Sequence, residues 1–154
     1  ADTRDRPYWR WLCVIFLFLA ADEDASLHEL LIGPMKATFH LAGPFLFAWV
    51  IPYGCAVVVI GFLYLRFVLR QPARARRLIV AAGGVYLAGA LGFELIGGWY
   101  LSRHDEIENF NYLLLVAAEE FLEMSGSILF IYALLDFLGT QLQGDPLRIL
   151  IRSR

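Results

Sequence analysis

The chain has 154 residues, 59% hydrophobic and 15% aromatic, with a formal net charge of −2. Soluble domains sit near about 45–50% apolar, so a mean hydropathy of +0.60 marks an integral membrane protein. Nothing in the charge balance points to nucleic acid, no glycine-rich phosphate loop calls for a nucleotide cofactor, and Cys13 and Cys55 lack the spacing of a redox or metal-finger motif.

The first predicted span covers residues 8–31. Tyr8, Trp9 and Trp11 stand beside Arg4, Arg6 and Arg10 as an interfacial belt. The apolar run 11–21 covers only about half of a ~30 Å hydrocarbon core at ~1.5 Å per residue. The helix is therefore expected to continue through D-E-D-A-S-L-H-E, residues 22–29, to about Leu31, with Gly33-Pro34 ending it. The competing reading is a short helix that leaves the bilayer at Ala21 with its acids solvated. The run lacks a small-residue cleavage site and leads into acids, so no signal peptide is expected. The first residue, Ala1 rather than Met, points to a missing or processed N-terminal piece.

The second predicted span covers residues 44–68, with Pro44 suited to a first turn and Pro52 expected to kink the helix. A basic loop comes next, with Arg66, Arg70, Arg74, Arg76 and Arg77. The third span, residues 78–101, is rich in small residues, and Ala88 and Gly92 have the spacing that lets membrane helices approach closely. Glu94 interrupts it, and Trp99 and Tyr100 form a second aromatic belt. After a short polar loop, residues 102–109, the fourth span covers residues 110–138. It carries Glu119, Glu120 and Glu123 between apolar flanks. Residues 139–154 read as a cytoplasmic surface tail with Arg148, Arg152 and Arg154.

Four spans place both termini and the arginine loop on one side. Arg4, Arg6, Arg10, Arg66, Arg70, Arg74, Arg76, Arg77, Arg148, Arg152 and Arg154 share that side, against Lys36 and Arg103 on the other. Eleven bases against two predict a cytoplasmic location for both termini. The expectation is an all-α, polytopic four-helix bundle forming a single membrane domain over residues 1–154.

This topology sets the depth of the acids. Asp22 lies ~20 Å along the first helix and Glu94 ~24 Å along the third, while Glu119, Glu120 and Glu123 lie ~14–20 Å from the outer end of the fourth. No Lys or Arg shares that depth. A charge near the bilayer centre costs roughly 3 kcal/mol, so protons or a bound cation must neutralise the cluster. At 100° per residue, Glu119, Glu120 and Glu123 occupy about a 100° arc of one helix. Carboxylates and an imidazole projecting from several helices resemble the ligand sets of di-metal bundles, although the usual Glu-x-x-His pairs are absent.

The leading expectation is a divalent metal, Mn, Fe or Zn, held by Glu119, Glu120, Glu123, Glu94 and His28, with Glu23 and Asp22 behind them. The alternative is a non-catalytic accessory or structural subunit of a larger respiratory, photosynthetic or transport complex, its acids protonated or satisfied by neighbours. A proton or small-cation path is a third reading, limited because the cytoplasmic half offers only isolated polar groups such as Asp136, Tyr132 and Ser125. A tetrapyrrole or quinone site would draw on His28 and His40. No nucleophile–base pair stands out, so no enzyme is claimed.

Three stretches, F-L-A-A-D-E-D-A-S-L-H-E at residues 18–29, A-L-G-F-E at residues 90–94 and E-E-F-L-E-M-S-G at residues 119–126, carry a resemblance. Together they resemble a loosely defined group of uncharacterised bacterial multi-pass membrane proteins with D-E-x(4)-H-E and E-E-x-x-E-M-x-G segments. The resemblance implies a bacterial inner-membrane location and implies no chemistry.

Overall fold

The structure is a computed structural model that describes residues 4–39, 41–104 and 107–142. Every regular element among them is helical. The first helix, α1, spans Arg6–Ala25, with Pro7 in its first turn. It does not continue to Leu31. Ser26 adopts a left-handed conformation, φ 47°, and its N–H caps the helix on the Asp22 carbonyl. The Asp22 carboxylate then takes the backbone N–H of His28 at 2.8 Å. This local side-chain bond offers the backbone an alternative to the α-helical ladder, and the chain tightens into a 3₁₀ turn, Leu27–Leu31.

Gly33-Pro34 do not end a helix. They open α2, Ile32–Phe39, where a proline in the first turn costs no hydrogen bond. A second 3₁₀ turn, Gly43–Phe45, leads to α3, Val50–Arg70. Pro52 falls in the first turn of α3, so the expected kink has no broken i→i−4 bond to arise from. Next come α4, Ala73–Leu87, a π-helical segment, Ala88–Phe93, and α5, Glu94–Leu101, as one uninterrupted rod. The last helix, α6, spans Phe110–Leu142. Asn109 caps it, its Oδ1 accepting the N–H groups of Asn111 at 3.1 Å and Tyr112 at 3.2 Å. The predicted tail therefore begins as helix to Leu142, and residues 143–154 lie outside the described residues.

Three helical stretches are long and apolar enough to cross a membrane: Val50–Arg70, Ala73–Leu101 and Phe110–Gln141. The first predicted span is not among them, because Arg6 and Arg10 at its start and Asp22, Glu23 and Asp24 at its end leave too short an uncharged run between them. Its packing nevertheless runs alongside the others. Trp9 packs edge-on against Phe67 at 5.0 Å and tilted against Phe137 at 5.5 Å. Further along, Phe16 stacks on Phe130 at 4.7 Å, and Asp22 meets Tyr53. So α1 lies antiparallel to both α3 and α6.

The α4–α5 rod is also antiparallel to α6, pairing Arg74 with Asp136 at one end and Gly97 with Tyr112 at the other. The first end gathers Asp5, Arg70, Arg74 and Asp136. At the opposite end the Gly43 N–H donates to Ser102 Oγ at 3.0 Å.

Two glycines let the rod and α6 touch at mid-length. A Cβ on Gly126 would stand 2.6 Å from the Tyr86 nitrogen, and one on Gly89 would stand 2.8 Å from the Glu119 carbonyl oxygen. Small residues do serve close packing here, but not the expected pair: Ala88 is exposed and Gly92 faces open space.

Candidate functional site

The Ser26 reversal folds His28 back over the end of α1. Its backbone N–H donates to Asp22 Oδ1, and its Nδ1 lies 3.1 Å from Oδ2. Tyr53, one turn into α3, donates its hydroxyl to Oδ1 at 2.9 Å. Asp22 is 5% exposed, a buried acid in the last turn of a helix, where the helix dipole opposes negative charge. These donors supply what the helix end withholds.

The second group sits beside the first. The His28 ring lies 4.5 Å from the Trp49 ring, centroid to centroid. Trp49, in the turn before α3, donates its indole N–H to Glu94 Oε1 at 2.9 Å. Glu94 is the first residue after the π-helical segment. Each π turn takes an extra residue and rotates the helix beyond it, so the segment sets the direction in which Glu94 leaves the rod. Its carboxyl lies in the neighbourhood of the Glu119 carboxyl on α6. One turn on, Glu123 packs its Cγ against Gly89 and lies in the field of Glu23, Glu94, Glu120 and His28.

The expected ligands therefore divide. Asp22, His28, Glu94, Glu119 and Glu123 are drawn inward as two neighbouring groups. Glu23 and Glu120 are exposed, as are Asp24 and Glu29. Among the described residues no three His, Cys, Asp or Glu side chains stand close enough to hold one metal ion. His104 is exposed and stacks on Tyr100 at 4.1 Å, and His40 lies outside the described residues.

Sequence reasoning missed Trp49 and Tyr53, the two donors that α3 contributes. Their signal was present. Trp49-Val50-Ile51-Pro52-Tyr53 puts two amphipathic aromatics one turn apart at the start of a span, where such residues carry a polar tip among apolar neighbours.

A family model described as a domain of unknown function, DUF8692, matches residues 1–138, and the chain belongs to that family. No curated protein and no solved structure matches it.

Proposed function

We propose that this DUF8692 member is a non-catalytic subunit of a larger assembly in the bacterial inner membrane, crossing four times with both termini cytoplasmic. The fourth crossing is α1, and what supports this is its antiparallel contacts with α3 and α6 from Trp9 to Asp22. In this reading the inward acids are satisfied within the chain. Asp22 is held by His28 and Tyr53, and Glu94 accepts the Trp49 N–H.

The observation that carries the subunit reading is Glu120. It lies ~15 Å beyond Phe110, half-way through a ~30 Å core, and it is exposed. At 100° per residue it shares a side of α6 with exposed Leu113, Met124 and Ile131. A lipid-facing carboxylate there costs roughly 3 kcal/mol. A partner helix offering a cation or a hydrogen-bond donor at mid-depth removes that cost.

A photoreactive residue at position 120, irradiated in native membranes, tests this. The expected product is one discrete protein adduct. Adducts with lipid alone would contradict the reading.

A second reading keeps the divalent metal, Mn, Fe or Zn. What favours it is the neighbourhood of Glu94 and Glu119 on two helices with Glu123 one turn away, hard oxygen donors of the kind these metals take. Elemental analysis of gently purified protein is expected, on this reading, to find stoichiometric metal that is lost in Glu94→Gln/Glu119→Gln. Metal-free native protein removes it.

A further inference from the structure

We infer that the start of α1 is a binding site for an anionic phospholipid, its phosphate held by Arg6 and Arg10 and one acyl chain lying along the exposed face of the helix. An open hollow of about 460 Å³ at this turn is lined by Arg6, Pro7, Arg10 and Trp11, all from α1.

The two guanidinium groups stand one helical turn apart on the same face. Three other bases at this end of the molecule are engaged inside the chain. Arg70 pairs with Asp5 at 2.6 Å, Arg74 with Asp136 at 2.8 Å, and Arg76 donates to the Leu69 carbonyl at 3.3 Å. Among the described residues, neither Arg6 nor Arg10 has such a partner. Two cations with no partner among the described residues, beside a tryptophan at the start of the helix, fit a phosphate group bearing negative charge.

The apolar surface above them selects a lipid over a free anion. Val14 and Leu17 continue the Arg6–Arg10 side of the helix, and Trp11 and Phe18 flank it. Trp11 is 64% exposed and Leu17 is 70% exposed, and Val14 and Phe18 are also open. From Arg10 this strip rises ~16 Å to Ala21 at ~1.5 Å per residue, the depth of one leaflet of a ~30 Å core. Head group and chain thus meet one continuous surface, charged at its base and apolar above.

Native mass spectrometry of the full chain, released from nanodiscs of phosphatidylcholine with phosphatidylglycerol, tests the assignment. Retained phosphatidylglycerol is expected, with phosphatidylcholine stripped. Each basic side chain near an anionic surface contributes roughly fivefold, so Arg6→Gln/Arg10→Gln is expected to weaken retention about twenty-five-fold. Arg66→Gln/Arg77→Gln, which changes the charge equally, is expected to keep the lipid. Trp11→Ala, which leaves both arginines, should weaken it by a smaller factor. Equal retention of both lipids overturns the proposal, as does retention unchanged in Arg6→Gln/Arg10→Gln with native helicity. Displacement by millimolar inorganic phosphate would reassign the site to free anion and overturn it too.

Discussion

Asp22 shows how one side chain can decide where a helix stops. Its carboxylate is worth more to the fold bound to the His28 N–H and the Tyr53 hydroxyl than exposed on a longer helix. Removing a donor from a buried carboxylate costs about 1–2 kcal/mol, so Tyr53→Phe is expected to lower stability by that amount in a mixed-micelle unfolding titration. The Glu94 neighbourhood makes a sharper prediction. Glutamine keeps an acceptor for Trp49 and a donor for Glu119, so Glu94→Gln is expected to shift stability by less than about 0.5 kcal/mol. Glu94→Leu strands both partners and is expected to cost about 2 kcal/mol in the same titration. Equal losses in the two variants would show that Glu94 acts as a full charge.

The elements were legible in unequal degree. The second, third and fourth spans could be read from apolar length alone, and three helices long and apolar enough to cross a membrane lie there, although α3 begins at Val50 rather than at residue 44. The end of α1 could not, because the deciding contact joins Asp22 to a backbone group six positions on and to a tyrosine on another helix. Pro34 and Pro52 looked like a stop and a kink because a proline's effect depends on its distance from the helix start, and both starts were misplaced.

The π-helical segment left no sequence signal beyond a run of small residues, yet it sets where Glu94 points. Of those small residues the contact selects Gly89, and Gly126 across from it, by geometry that only the folded pair contains. Gly126→Leu must push α6 away from Tyr86 and is expected to cost more than about 2 kcal/mol, by thermal unfolding in detergent. Gly92→Ala, in open space, is expected to cost nothing measurable. At Ser26, replacement by glycine relieves the left-handed strain, roughly 1 kcal/mol, and is expected to raise stability, whereas Ser26→Val should lower it.

For the whole molecule, the unequal distribution of bases predicted which ends lie together, and the Asp5–Arg70 and Arg74–Asp136 pairs bring those segments to one end. The candidate site was half legible. The acids were picked out by the cost of charge in an apolar helix, but which would converge depends on helix rotation that periodicity cannot supply. Glu120 and Glu123 share an arc in the sequence, and the fold turns one outward and the other inward. That division is the basis of the subunit reading, since a mid-membrane carboxyl on the outer surface calls for a neighbour.

Topology rests on the same packing. In a chain with Cys13→Ser and Cys55→Ser, a cysteine at position 72 is expected to react with an impermeant thiol reagent only from the cytoplasmic face. One at position 103 should react only from the outer face.

The central claim is best tested by the mass of the protein released from native membranes in a mild detergent, read by native mass spectrometry. The account predicts a defined complex heavier than the 17.5 kDa chain, containing a second kind of membrane subunit, and its dissociation in Glu120→Leu. A stable, lone 17.5 kDa species from the same membranes would contradict it.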